Sequence, residues 1–66
     1  MTVIINGEKK EIDDSLNLQE IVQLFSKHIQ SIIVELNGKI IKKDKRSDFT
    51  LKEGDIVELI QMVGGG

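Results

Sequence analysis

Apolar residues fall in four short β-branched runs and one stripe with helical spacing. The first run is Val3-Ile4-Ile5. It is followed by Asn6-Gly7 and then by the mostly charged Glu8-Lys9-Lys10-Glu11-Ile12. Asn-Gly between two strand-like runs predicts a hairpin, because both residues tolerate the positive φ of a type I′ turn. The charge on the second run suits an edge strand, where it discourages pairing with other chains. From Leu18 the spacing changes. Leu18, Ile21, Val22 and Phe25 fall at i, i+3, i+4 and i+7, and Leu24 widens the stripe. This predicts a helix from Leu18 to about His28, with those apolar side chains buried. Asn17 and Glu20 have the spacing of a capping box. Ile32-Ile33-Val34-Glu35-Leu36 then leads into a second Asn-Gly, Asn37-Gly38, with Lys39-Ile40-Ile41 as the return strand. Lys42 to Ser47 is polar and reads as a solvated loop with about one helical turn. Leu51-Lys52-Glu53-Gly54-Asp55 reads as a turn into the last run, which starts at Ile56 and ends at Val63.

The predicted order is strand, strand, helix, strand, strand, strand. In so short a chain this is an α+β domain with one helix packed on one face of a sheet. The other face meets solvent. In the last strand Val57 and Leu59 share one face by period two, while Ile56, Glu58, Ile60 and Met62 share the other. Glu58 is a poor candidate for burial. Val57 and Leu59 should therefore point at the helix, leaving Ile60 and Met62 exposed just before the chain's last residues. A contiguous apolar patch there would mark a partner site.

Those last residues are Gly64-Gly65-Gly66. A glycine triplet adds little to folding stability, since glycine has no side chain to pack and the most freedom to lose. As an expectation, it forms a thin, uncharged string ending in a carboxylate that can enter a narrow slot and be modified there. The plainer reading is a frayed end or linker, although flexible linkers usually mix in Ser. The expected division is a folded domain over 1–63 and a flexible tail over 64–66.

Composition narrows the chemistry. The 66 residues contain no Cys, which excludes disulfides, thiolate metal sites and a thiol nucleophile. A net charge of −2 argues against a dedicated nucleic-acid binder. Neither a membrane-spanning run nor a secretory signal is visible, and the expected location is cytoplasmic. His28 is the single histidine. Near a helix C-terminus it is most simply a surface residue that favours the helix dipole. Asp13-Asp14 reads as turn and cap chemistry, and Ser15 and Ser47 lack a nucleophile elbow. The basic cluster Lys42–Arg46 is either a solvated loop or a docking patch, and it lacks the aromatics that stack on bases. No catalytic residue, metal site or cofactor is expected.

Two features carry a family resemblance: Leu51-x-x-Gly54-Asp55-x-Val57-x-Leu59 and the terminal Gly65-Gly66. The first is similar to the last turn and strand of β-grasp, ubiquitin-like domains. With its length and its ending Gln61-Met62-Val63-Gly64-Gly65-Gly66, the chain resembles the ThiS family of sulfur carriers of thiamine thiazole biosynthesis. The resemblance implies a β-grasp fold with a mixed sheet of four to five strands. It also implies a carrier that is not itself an enzyme. A ThiF-like adenylating enzyme of the ubiquitin-activating type would activate the Gly66 carboxylate with ATP. A sulfur donor system would convert it to a thiocarboxylate, and a ThiG-like thiazole synthase would take the sulfur. Gly64 and Gly65 would present the reactive end, and Ile60 and Met62 would contribute to docking. Other clients remain open, as in the small subunit of molybdopterin synthase or a ubiquitin-like modifier. So does a β-grasp protein- or RNA-binding module with an incidental tail.

Overall fold

A computed structural model of the chain describes residues 1–26 and 31–61. Its strands are β1 (Thr2–Ile5), β2 (Glu8–Glu11), β3 (Ile32–Leu36), β4 (Lys39–Ile41) and β5 (Ile56–Gln61). One α-helix, α1 (Leu18–Phe25), follows β2, and a 3-10 helix, Lys43–Asp48, follows β4. The strands form one five-stranded sheet in the order β2-β1-β5-β3-β4. β1 and β5 run parallel and the other pairs are antiparallel. This is the α+β, ββαβββ mixed sheet expected, with charged β2 on an edge.

Both hairpins form where Asn-Gly predicts them. Asn6 and Gly7 have φ of 51° and 82°, and Asn37 and Gly38 have 52° and 86°. Positive φ at both central residues matches the turn to the right-handed twist of the flanking strands.

The helix starts at the predicted cap. Asn17 Oδ1 accepts from the Glu20 N–H at 2.9 Å, and Glu20 Oε1 accepts from the Asn17 N–H at 2.9 Å. Two otherwise orphaned donors are satisfied this way. Leu18, Ile21 and Val22 are fully buried against Val3, Ile5, Val34, Val57 and Leu59 of the sheet.

The helix ends sooner than expected. Phe25 is its last residue, and Ser26 is already extended, with φ −135° and ψ 138°. The predicted extension toward His28 falls on residues 27–30, outside the described residues. Leu24 and Phe25 are not in the core: Leu24 is 63% exposed, and Phe25 is exposed as well. At about 100° per residue, Leu24 lies roughly 60° beyond Ile21 around the helix and faces away from the sheet. Phe25 is on the stripe but sits at its end, against the Lys10 side chain of edge strand β2, whose Nζ is 6.0 Å from the ring centre.

The basic segment also departs from expectation. It winds into a six-residue 3-10 helix rather than a loop with a single helical turn. Lys42, Lys43 and Lys45 are exposed, but Arg46 is only 3% exposed and donates from Nη2 to the Ile32 carbonyl at 2.9 Å. Its Nε and Nη1 have no partner among the described residues. Arg46 thus fastens the 3-10 helix to the start of β3 and is no part of a solvated basic patch. Burial lowers its pKa from the usual arginine value, because desolvation disfavours the charged form.

Candidate functional site

The strand that leads toward the glycines is central. β5 pairs with β1 on one side and β3 on the other. Val57 and Leu59 are buried, while Ile56 and Ile60 are exposed, as period two predicts. Ile60 is 42% exposed on the open face of the sheet, directly across from Ile33 of β3. Met62, Gly64, Gly65 and Gly66, like His28, lie outside the described residues.

The two turn asparagines also hold β5, which the sequence pattern does not announce. Asn6 Oδ1 accepts from the Leu59 N–H at 2.8 Å, and Asn37 Oδ1 accepts from the Ile56 N–H at 2.9 Å. Asn37 Nδ2 in turn donates to Asp55 Oδ1 at 3.1 Å, and Asp55 Oδ2 accepts from the Lys52 N–H at 2.8 Å. Each asparagine therefore serves twice, once in the left-handed turn and once as a side-chain acceptor for the tail-bearing strand. The signal available in sequence was Asn, rather than Asp or Gly, at the first turn position of both hairpins.

Asn6→Ala is expected to lower stability by about 2–3 kcal/mol. Roughly 1 kcal/mol comes from a left-handed alanine, and the rest from a half-buried Leu59 N–H left without an acceptor. Asn6→Asp keeps both properties and should lose less than about half as much. Urea denaturation of the three proteins checks the order.

The other candidates are dispersed. Asp14 accepts from the Met1 amino group at 3.0 Å. Ser15 and Ser47 are exposed. Among the described residues no cluster of three or more His, Cys, Asp or Glu could hold a metal ion. No helix among them is long and apolar enough to cross a membrane. What the arrangement offers is a partly apolar sheet face beside the strand that leads to the glycines.

Comparison with known proteins agrees with this geometry. The ThiS family matches residues 3–66. The sulfur carrier protein ThiS of Bacillus subtilis (strain 168) is 30% identical over 63 residues, covering 94% of this chain and 96% of that protein. A thiazole synthase of Paramagnetospirillum magneticum is 26% identical over all of this chain, which spans only 20% of that relative's length. A crystal structure of the thiamine biosynthesis protein ThiS from Geobacter metallireducens superposes with a TM-score of 0.87 at 33% identity, covering the whole of both chains. The solution structure of the thiamine biosynthesis protein from the same organism gives 0.79, over 88% of that chain. A β-grasp sheet whose central strand runs toward a glycine end, with a family match that includes that end, has one reading: the chain belongs to the ThiS family, sulfur carriers of thiamine biosynthesis rather than enzymes.

Proposed function

We propose that Gly66 carries the sulfur and that Gly64 and Gly65 present it. The observation that carries this reading is the family match continuing through residue 66, on a chain whose central strand leads into the glycines. A carboxylate is a poor electrophile because its charge repels nucleophiles. A ThiF-like adenylating enzyme would let the Gly66 carboxylate attack the α-phosphorus of ATP, expelling pyrophosphate and giving an acyl-adenylate. A persulfide from the sulfur donor system would displace AMP, forming an acyl disulfide. Attack by a thiol would then release the thiocarboxylate. Glycine at the end suits this route, because a slot that excludes Cβ admits only glycine and water is kept from the adenylate.

A ThiG-like thiazole synthase is the proposed client. That choice is supported by the Paramagnetospirillum relative, in which a segment similar to this chain lies within a protein named for that activity. Intact-mass spectrometry after incubation with ATP, a persulfide donor, a thiol and the adenylating enzyme tests the reading. A sulfur-for-oxygen gain located at Gly66 is expected, and its absence under conditions that charge a known carrier overturns the assignment.

Ile60 and Met62 are proposed to dock the adenylating enzyme. Ile60 lies six residues before Gly66, so the carboxylate can be at most about 22 Å away along an extended chain. Contact at Ile60 would thus fix where the tail is delivered. Ile60→Glu and Met62→Glu are each expected to raise KM for charging at least tenfold with kcat nearly unchanged. A variant with unchanged saturation behaviour removes that residue from the interface.

A further inference from the structure

The open sheet face has an acidic centre. The β3–β5 register places Glu35 directly across from Glu58, with Ile33 across from Ile60 one pair further along the same face. β4 places Ile40 beside Glu35, and Ile4 pairs with Ile56 beyond them. Ile40, Ile56 and Ile60 are exposed, and Ile4 and Ile33 are partly so. Residues directly opposed in an antiparallel pair have Cβ atoms about 5 Å apart, and like charges there are destabilising. The ion pairs among the described residues are Met1–Asp14 and Lys10–Glu8, and neither Glu35 nor Glu58 has a side-chain hydrogen bond there.

The arrangement constrains whatever covers Ile60. A purely apolar partner would strip water from two unpaired carboxylates, which is far more costly than burying isoleucine is favourable. A partner with its own acidic groups would be repelled. A cation set within an apolar surround satisfies both parts of the face. Arginine fits better than lysine, because its planar fork can donate to two carboxylates at once and is less strongly hydrated.

We infer that the Glu35–Glu58 pair receives an arginine of the protein that docks on the isoleucine face; under the carrier reading, on which this inference rests, that protein is the adenylating enzyme. The pair then acts as a selectivity device, rejecting apolar surfaces that lack the matching charge.

Calorimetric titration of the adenylating enzyme with the full chain tests this without requiring turnover. The variants are Glu35→Gln, Glu58→Gln and the double substitution, which keep side-chain shape on an open face. The double variant is expected to bind at least tenfold more weakly, to lose most of the salt dependence of the wild-type chain, and to melt no lower than it. Equal or tighter binding by the double variant overturns the inference. So does a wild-type chain that does not bind, or one whose face is closed by a second copy in sedimentation. Intact mass on the same samples separates the two readings. Undiminished binding by the double variant, while Gly66 of the wild-type chain still gains sulfur, sinks the arginine receptor alone. Weaker binding by the double variant, with no gain at Gly66 of the wild-type chain, sinks the carrier assignment alone.

Discussion

Removing Gly65 and Gly66 should abolish sulfur transfer completely while leaving the melting temperature within about 2 °C of the full chain. Under the proposed mechanism the reacting atom is the carbonyl carbon of residue 66, and no side chain elsewhere substitutes for it. A shortened chain still ends in a carboxylate, but that group would stop some 7 Å short of its former reach, at about 3.3–3.6 Å per residue. Reactions that depend on near-attack geometry do not tolerate such a displacement. The fold should not notice, because the buried core among the described residues is complete at Leu59. Charging and sulfur transfer, followed by intact mass, check the first half, and thermal unfolding by circular dichroism checks the second. Residual transfer at a tenth of the normal rate or better would place the chemistry elsewhere. A large fall in melting temperature would show that the glycines belong to the folded body.

The largest effect on stability is expected from Ile21→Ala. Ile21 is completely buried at the centre of the helix face. Truncating a buried isoleucine to alanine costs about 2–5 kcal/mol, because the cavity collapses only in part. At roughly 0.05–0.15 kcal/mol per residue the whole domain has about 3–10 kcal/mol to lose. The change therefore removes about a fifth of the total or more. At about 4–8 °C per kcal/mol for a domain of this size, the melting temperature should fall by at least about 10 °C. Leu24→Ala on the same helix should change stability by less than about 0.5 kcal/mol, because Leu24 is already 63% exposed. Parallel melts of the two proteins decide it, and similar losses would mean that the helix is seated differently on the sheet.

That contrast also marks where sequence reading reached its limit. Ile21 and Leu24 look alike as letters, and a helical stripe wide enough for one takes in the other. Periodicity fixes angles around a helix but not where the sheet beneath it ends, so it does not separate a core position from the rim. The helix start was legible because Asn17 and Glu20 form a local motif. The helix end was not, since Ser26 is a weak stop signal and the apolar pattern ran on past it. Both hairpins were legible for the same local reason, as Asn-Gly allows few alternatives. The order of strands was not, because the parallel β1–β5 pairing joins segments some fifty residues apart and no local pattern encodes it. Arg46 was missed because a charge run reads as solvated, and only the three-dimensional path of the 3-10 helix turns one member inward.

For the candidate site, parity around Glu58 correctly exposed Ile60 and buried Val57 and Leu59. The opposite acid, Glu35, became visible only once the register of β3 against β5 was known. The glycine end is plain in the sequence, the family match extends over it, and its reactivity is a proposal.

The parallel arrangement of β1 and β5 has a mechanical consequence. The first and last strands lie side by side, joined by Ile4 N–H to the Asp55 carbonyl, Asn6 N–H to the Val57 carbonyl and Gly54 N–H to the Thr2 carbonyl, at 2.8–2.9 Å. A pull on the carboxyl end against the body of the domain acts along these strands. It loads the cross-links in shear, all at once, instead of peeling them apart one after another. A force applied beyond Gln61 is therefore resisted by several backbone hydrogen bonds together, and the sheet holds its shape.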